Sequence, residues 1–230
     1  MEVSSSGVCS LCVCGDGSVG KSSIIANFKS NGFVPVYKQT IGVDFFEKLL
    51  KIRENLSISL RIWDVGGQSI NSNNLSTYLS SSHVVFLVYD VTNAESFANL
   101  DDWLRKIREY STTRHVYLVA NKIDIFQSRL ITEKQHEEYI IGNDLTGGIF
   151  LSAKTGDNVV RSFYEIAGKV CGTPLTQNEL SAYDIVVTAH IVKSSDEDEE
   201  RTPWADEIEA EDRAAEEKRL ARANCMCSIS

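Results

Sequence analysis

The octapeptide GDGSVGKS, residues 15–22, lies between an apolar strand pattern and a helical pattern. It fits the spacing GxxxxGK[ST], in which glycines let successive backbone N–H groups point at one anion. The positive end of the following helix adds to that attraction, Lys21 reaches the outer phosphates, and the Ser22 hydroxyl is suited to ligate Mg²⁺. The stretch therefore predicts a phosphate-binding loop that joins a strand to a helix.

Apolar, β-rich runs alternate with helical patterns on both sides of this loop. Strands are predicted at 8–14, 43–53, 57–64, 83–90, 115–121 and 147–151, and helices at 20–30, 69–80, 96–110, 132–141 and 157–171. The second and third strands join through Glu54-Asn55 as a hairpin, whereas helices separate the other strands. This order predicts an α/β fold, a three-layer α-β-α sandwich of the P-loop NTPase type, with a six-stranded, mostly parallel sheet and one antiparallel edge strand.

Composition divides the 230 residues into a flexible N-terminus (1–7), a nucleotide-binding domain (8–173), a short appended element (174–192) and an acidic tail (193–230). Residues 193–222 hold 12 acidic and 6 basic side chains, which favours a solvated spacer. The net charge of −9 leaves no basic footprint for nucleic acid. The first residues do not resemble a signal peptide, and no apolar run approaches the roughly 20 residues of a membrane span. The expected compartment is therefore the cytosol.

The cysteines near the N-terminus allow two interpretations. Cys9 and Cys12 formally make a CxxC pair, with Cys14 beyond them, but no second CxxC or paired histidine completes a zinc site. On a strand, Cys12 and Cys14 would share one face and Cys9 would lie on the other. We therefore favour small core residues over metal ligands, and interpret Cys171 in the same way.

A second motif selects the base. Asn121-Lys122-Ile123-Asp124 follows the predicted strand 115–121. A carboxylate at Asp124 can accept hydrogen bonds from N1–H and the exocyclic amine of guanine, whereas adenine has no donor at N1 and would leave that carboxylate unpaired. Such stranding of a polar group discriminates strongly between ligands. A polar loop that merely closes a strand is the alternative, and the phosphate loop upstream argues against it.

With these motifs in place, the chain resembles the Ras superfamily of small GTPases and, within it, the Rab family. The segments KQTIGVDF (38–45), WDVGGQ (63–68) and SAK (152–154) resemble the first switch, the second switch and the last guanine loop. The resemblance covers roughly residues 7–172 in the expected order. The GGQ form, the strings YKQTIGVDFF and SAKTGD, and the C-terminal residues are most similar to the Rab twenty-eight subgroup.

The resemblance implies GTP or GDP as ligand, Mg²⁺ as cofactor and a defined set of contacts. The implied nucleotide-binding residues are Gly15, Gly17, Ser18, Val19, Gly20, Lys21, Ser22, Ser23, Phe33, Tyr37, Thr40, Gly67, Asn121, Lys122, Asp124, Ser152, Ala153 and Lys154. Ser22 and Thr40 would ligate Mg²⁺ directly, and Asp64 would hold it through water. Phe33 would pack on the guanine edge, the Ala153 amide would meet the guanine carbonyl, and Tyr37 would cover the γ-phosphate.

Gln68, Lys21 and Thr40 are the implied catalytic residues, with Gln68 orienting the water that attacks the γ-phosphate. Because no arginine of this chain is evidently aimed at the phosphates, we expect slow hydrolysis until an activating protein supplies one, an effect of roughly 10³ to 10⁵ in rate. Loss of the γ-phosphate would release both switches. Residues 69–74 have poor helix propensity, and Gly66, where most relatives carry alanine, is expected to loosen them further.

The resemblance also implies partners: exchange factors, activating proteins, effectors and a prenyl-binding escort, on a monomeric chain. The implied effector surface comprises Ile41, Gly42, Asp44, Phe45, Trp63 and Tyr78. Exposed aromatics beside a switch are good anchors, although Phe45, Trp63 and Tyr78 could also be simple core residues.

The chain ends in Cys225-Met226-Cys227-Ser228-Ile229-Ser230, whose last four residues fit a CaaX box with a terminal serine that favours farnesyl. Cys225 could take a second lipid, which would matter because a single chain anchors only marginally. We expect reversible attachment to the cytoplasmic face of a membrane, and the subgroup resemblance suggests endosomal or ciliary and flagellar trafficking.

Two other functions fit parts of the pattern. A GTP-binding scaffold that does not hydrolyse and acts through its tail is disfavoured by intact Gln68, Thr40 and Gly17. An ATP-dependent P-loop kinase is disfavoured by Asp124.

Overall fold

The computed structural model describes residues 5–30, 40–72 and 74–184, in which six strands form one sheet. The strands are β1 (Ser5–Cys14), β2 (Val43–Arg53), β3 (Leu56–Val65), β4 (Val84–Asp90), β5 (Val116–Asn121) and β6 (Gly147–Phe150). The α-helices are α1 (Lys21–Ser30), α2 (Leu75–Ser80), α3 (Ala94–Ala98), α4 (Leu100–Tyr110), α5 (Glu133–Gly142), α6 (Val159–Val170) and α7 (177–184), with 3₁₀ turns at Gly67–Asn71 and Phe126–Ser128.

The strand order is β2-β3-β1-β4-β5-β6, with β2 antiparallel to β3 and every other neighbouring pair parallel. The predicted fold class, including the antiparallel edge strand, is therefore confirmed. β4 is buried along its whole length because it lies inside the sheet with helices on both faces. In a parallel sheet the carboxyl ends of β1, β4 and β5 meet at one edge, so the loops that follow them are brought together.

Two apolar cores fill the spaces between the sheet and its helices. On one face α1 and α6 pack on the sheet, and the rings of Phe28 and Phe163 stack with centroids 4.1 Å apart. On the other face α2, α4 and part of α5 cover residues that include Tyr89 and Leu118. Three layers result, because inner strands such as β4 and β5 bury side chains on both faces of the sheet.

The cysteines of β1 divide between these cores as the alternation predicted. Cys9 lies in the core under α1 and α6, and Cys12 and Cys14 lie in the other core. Burial raises the pKa of Cys9 and Cys14 to about 12, so near neutral pH both are thiols that act as small apolar side chains. Cys171 packs partly buried against the first core.

Three elements differ from the predictions by more than a shift of one or two residues at their ends. β1 begins at Ser5, inside the segment expected to be flexible, because Ser5 pairs with Ser57 of β3. The predicted helix 69–80 is a 3₁₀ turn followed by a short α2, since serine and asparagine at 71–74 favour turns over helix. The predicted helix 96–110 is two helices, and the first begins earlier because the Asn93 side chain accepts hydrogen bonds from the amides of residues 95 and 96.

Helix α7 packs on the domain through a buried leucine, a stacked pair of tyrosines and ion pairs. Leu180 is buried, and the Tyr183 ring stacks on Tyr164 with centroids 4.1 Å apart. Glu179 accepts two hydrogen bonds from the Arg53 guanidinium, at 2.7 and 3.1 Å. The first residues after the predicted domain are thus held against α6 and the β2–β3 hairpin.

Several predictions concern residues outside the described ranges. Phe33 and Tyr37, the acidic tail 193–230 and the cysteines Cys225 and Cys227 all lie there. Within the part of the chain that the structure describes, no helix is long and apolar enough to span a bilayer.

Candidate functional site

The phosphate loop, residues 15–20, connects β1 to α1 in a conformation that depends on glycine. Gly15 and Gly20 have φ of 138° and 94°, and a Cβ on Gly20 would lie 2.3 Å from Nδ2 of Asn121. A Cβ on Gly15 would lie 2.1 Å from the Val88 carbonyl oxygen. The loop can therefore curl tightly at the N-terminus of α1, where helix N–H groups favour an anion.

Lys21 lies under this loop with its ammonium held on two carbonyls. Its Nζ donates to the Gly15 oxygen at 2.8 Å and to the Asp16 oxygen at 2.6 Å, and the side chain is buried. Burial lowers the pKa of Lys21, while the nearby Asp64 carboxylate acts in the opposite direction. A buried cation beside backbone amides suits a phosphate group.

Three oxygen side chains converge beside the loop. Ser22 Oγ donates to Asp64 Oδ2 at 2.5 Å and lies 2.8 Å from Thr40 Oγ1. Asp64 Oδ1 is buried without a hydrogen-bond partner among the described residues, and burial raises the pKa of this carboxyl group. An all-oxygen set with an unsatisfied buried carboxylate oxygen fits a hard cation such as Mg²⁺.

At the base end, buried Asn121 joins three loops. Its Nδ2 donates to the Val19 carbonyl at 2.8 Å, and its Oδ1 accepts from the amides of Ala153 at 3.0 Å and Lys122 at 2.8 Å. The phosphate loop, the Asn121–Asp124 loop and the Ser152–Lys154 loop are therefore fixed to one another. The sequence predicted that these motifs meet, but not that Asn121 itself connects them.

Asp124 and Lys122 are also held by side chains. Ser152 Oγ donates to Asp124 Oδ1 at 2.7 Å, and the buried Ser152 accepts from the Lys154 amide at 3.2 Å. Lys122 has φ of 66° and its Nζ lies 2.6 Å from Asp90 Oδ2. Sequence reasoning missed Asp90, although an acidic residue at the end of an otherwise apolar strand was an available signal.

The second switch begins with two glycines that approach other loops closely. A Cβ on Gly67 would lie 2.2 Å from the Gly17 nitrogen, and a Cβ on Gly66 would lie 2.4 Å from the Thr40 carbonyl oxygen. Gly66 also donates its N–H to the Gly42 oxygen at 2.9 Å. We expected Gly66 to loosen this segment, whereas the structure gives it a different role, because its missing side chain lets the first switch come close. Gln68, which follows Gly67, is exposed.

The predicted effector residues lie together on the surface next to the switches. Trp63 lies between Phe45 and Tyr78, with ring centroids at 4.5 and 5.1 Å. Phe45 is half exposed and Ile41 almost fully exposed, and Gly42 and Asp44 are also exposed. Trp63 and Tyr78 also contact the core under α2, so the aromatic group belongs partly to the core and partly to the surface.

The remaining predicted contacts lie at the same edge of the sheet. Gly17 and Ser18 are exposed at the top of the loop, Ser23 is partly buried in the first turn of α1, and Lys154 is exposed. A Cβ on Gly17 would meet no atom within 4 Å, so space is open there. Every predicted nucleotide-binding residue within the described ranges therefore lies on the loops that meet at this edge of the sheet, in the first turn of α1 or at the end of β5.

Comparison with known proteins agrees with this geometry. The profile described as "Ras family" matches residues 10–172. Ras-related protein Rab-28 of Caenorhabditis elegans is 34% identical over 190 residues, which cover 81% of this chain and 76% of that protein. Ras-related protein Rab-1 of Theileria parva is 40% identical over 157 residues (67% and 70%), and Ras-related protein Rab-30 of Homo sapiens is 35% identical over 154 residues (66% and 75%). The chain belongs to the Rab family of Ras-type small GTPases, which bind and hydrolyse GTP.

Proposed function

We propose that this GTPase is a Mg²⁺-dependent switch that recruits effectors to a membrane in its GTP form and thereby regulates vesicle or ciliary and flagellar trafficking. The observation that carries the proposal is the contact between Ser22, Thr40 and Asp64, since it joins the phosphate loop to both switches at one point. Mg²⁺ held by these oxygens, together with a bound γ-phosphate, would order both switches at once.

The residues around the phosphates would act by position and charge. Lys21 would move from the Gly15 and Asp16 carbonyls to the outer phosphates, and Mg²⁺, when bound, would neutralise charge on the phosphate oxygens. Thr40 and the Gly67 amide would sense the γ-phosphate, and Gln68 would orient the attacking water. Since phosphoryl transfer asks for little covalent work from the protein, these placements account for the reaction.

The base end would supply selectivity. Ser152 occupies one Asp124 oxygen, so the carboxylate is already oriented when guanine arrives. The Ala153 amide, fixed through Asn121, would meet the guanine carbonyl, and Lys122, oriented by Asp90, would lie over the base. Preorganised groups of this kind reject adenine because adenine offers no N1–H donor to the remaining oxygen of Asp124.

As in the family generally, regulators and effectors are the expected kinds of partner. The open space at Gly17 would admit an arginine from an activating protein. The half-exposed Phe45, with Trp63 and Tyr78, offers a rigid aromatic anchor to an effector. Farnesylation of Cys227, with a second lipid on Cys225, would attach a monomeric chain reversibly to a cytoplasmic membrane face, and an escort would carry the lipid between membranes.

Partner capture and vesicle partition test the proposal. Gln68→Leu protein loaded with GTP should retain partners that Ser22→Asn protein does not, and Cys227→Ser should abolish partition of the lipidated full chain into anionic vesicles while Cys171→Ser leaves it unchanged. Single-turnover hydrolysis with an activating protein separates the switch from a non-hydrolysing scaffold. Equal partner sets for the two loaded forms, or unchanged partition of Cys227→Ser, would contradict the proposal.

A further inference from the structure

The Asp16 side chain has no role in the site described so far, yet it is the most strongly tethered group of the phosphate loop. Its Oδ2 accepts a hydrogen bond from Asn99 Nδ2 at 2.7 Å, and its Oδ1 accepts one from Trp103 Nε1 at 2.8 Å. Asn99 lies at the junction of α3 and α4, and Trp103 is buried in the first turn of α4. Both carboxylate oxygens are thus satisfied by one structural element outside the loop.

The backbone of Asp16 forms the opposite side of this connection. Its carbonyl oxygen accepts from Lys21 Nζ at 2.6 Å. The peptide that joins Asp16 to Gly17 lies against Gly67, because a Cβ there would be 2.5 Å from the Asp16 carbonyl carbon. A shift of Asp16 would therefore displace the lysine that serves the phosphates and the glycine that begins the second switch.

The charge of Asp16 makes the tether necessary. A carboxylate in a loop built for polyphosphate would repel its ligand, and hydrogen bonds from neutral donors spread that charge and fix its direction. Hydrogen bonds to a charged group are also stronger than those between neutral groups. The two donors thus do two things at once: they hold the loop and they restrain its only carboxylate.

We propose that Asn99 and Trp103 clamp Asp16 and that this clamp is a positioning device for the phosphate loop, which slows nucleotide release. The inference rests on one part of the proposed function, namely that the phosphate loop binds the phosphates of GDP. Asp16, Asn99 and Trp103 are positioning residues, since none of them needs to touch the nucleotide.

The test is GDP release, measured with a fluorescent GDP analogue from the Mg²⁺-loaded protein. Asn99→Ala and Trp103→Phe each leave the carboxylate in place and remove one donor, so each should speed release about tenfold, the effect of losing one hydrogen bond to a charged group. In an Asp16→Ala background the Asn99→Ala change should have no further effect, because its partner is gone.

Tyr139→Phe is the matched control. It also removes a hydrogen bond to a carboxylate of α4, that of Asp101 at 2.9 Å, but it does not reach the phosphate loop, so release should stay at the wild-type rate. Thermal unfolding of every variant without nucleotide separates loop positioning from general loss of stability. Trp103→Phe opens space in the core, so this variant is the one that could fail to fold. In that case Asn99→Ala still tests the clamp.

Wild-type release rates in Asn99→Ala, or an equal effect of Asn99→Ala with and without Asp16, would overturn the clamp. Failure of the wild-type protein to prefer GDP over ADP in the same assay would instead overturn the assignment of the site, and the two failures are thus distinguishable.

Discussion

The base end and the switch end of the nucleotide site are built differently. At the base end, one buried amide, Asn121, holds three loops through hydrogen bonds to their backbones, and Ser152 and Asp90 orient Asp124 and Lys122. At the switch end, the 3₁₀ turn Gly67–Asn71 has no buried residue and no side-chain cap. This turn contacts the other loops through backbone atoms, because Gly66 lies close to Thr40 and Gly67 lies close to Gly17.

The difference separates recognition from response. Buried side-chain networks are costly to open, so loops held in this way keep one geometry whatever the phosphate state. Segments with few buried contacts lie at the low end of local stability, and such segments are the ones that move in switching. In the proposed function, guanine selectivity would thus lie at the rigid end and γ-phosphate sensing at the end that can rearrange.

The largest effect should come from breaking the rigid end at its centre. Asn121→Ala removes three hydrogen bonds, two of them between loops and one to the adjacent Lys122 amide, and at about 1 kcal/mol each we expect GDP affinity to fall about 100-fold. Isothermal titration of GDP measures it. Asn143→Ala, which removes one hydrogen bond to the Tyr139 carbonyl at the end of α5, should bind GDP like the wild type. Equal affinities for both variants would show that the loops hold together without Asn121.

At the switch end, adding a single methyl group at Gly67 should slow GTP hydrolysis. Gly67→Ala places a Cβ 2.2 Å from the Gly17 nitrogen, so either the phosphate loop or the second switch must shift. We expect hydrolysis of GTP to slow about 30-fold, which corresponds to about 2 kcal/mol of overpacking, with a smaller change in GDP affinity. Single-turnover hydrolysis measures the rate.

Gly142→Ala is the control for Gly67→Ala, since a Cβ on Gly142 meets no atom within 4 Å. It should hydrolyse GTP at the wild-type rate. A normal rate in Gly67→Ala would mean that the two loops do not approach each other in the hydrolysing state.

Much of both ends could be predicted from local sequence. The octapeptide 15–22 and the segment 121–124 each carry their chemistry within a few residues, and the apolar run of β4 identifies a buried strand. The pairs that hold the loops could not be predicted in this way. Trp103 and Asp16 are 87 residues apart, and no spacing rule links an indole in a helix to a carboxylate in a loop.

The role of Gly66 shows a related limit. A glycine in place of a larger residue predicts a wider range of φ and ψ at that position. This prediction concerns the backbone of the glycine alone and not its neighbours in the fold. Its φ of −58° is open to any residue, so the structure uses it for space rather than for conformation. Backbone freedom and space for a neighbouring loop are two possible roles of Gly66. Only the position of Thr40, which the fold brings close to Gly66, distinguishes them.

Helix α5 contains a buried histidine that should make the stability of the protein depend on pH. Burial lowers the pKa of His136 to about 4 from the ordinary 6.5, and the Arg129 guanidinium acts in the same direction. Its Nε2 faces Gly148 and has no partner among the described residues, while Nδ1 lies 3.0 Å from Tyr89 Oη. With both ring nitrogens protonated, Nδ1–H can donate to the Tyr89 oxygen, but Nε2–H would be buried without an acceptor among the described residues.

Because the unfolded chain takes up this proton near pH 6.5 and the folded chain only near 4, stability is lost as the pH falls between these values. From pH 7.5 to 5 we expect His136 to contribute a loss of about 2 kcal/mol in the free energy of unfolding. Urea unfolding at both pH values measures the loss. His136→Gln should reduce it, and His83→Gln, at an exposed site beside Ser10, should not. An undiminished loss in His136→Gln would assign the effect to carboxyl groups instead.

The smallest effect should come from filling the space at Gly66. Alanine fits the backbone there, but its Cβ would lie 2.4 Å from the Thr40 carbonyl oxygen, so residues 40–42 must move away by a few tenths of an ångström or more. We expect a cost of about 1 kcal/mol to the packed arrangement, and amide hydrogen exchange about fivefold faster at 41–44 in the GDP form.

Ser69→Ala is a useful comparison, because it removes the hydroxyl that donates to the Gly42 carbonyl at 3.2 Å without adding volume. If Gly66→Ala speeds exchange and Ser69→Ala does not, close approach rather than hydrogen bonding joins the two switches. Unchanged exchange in both variants would mean that the first switch rests on the Ser22 and Asp64 side chains and on the hydrogen bond from the Gly66 amide, and the switch end would then depend on hydrogen bonds as the base end does.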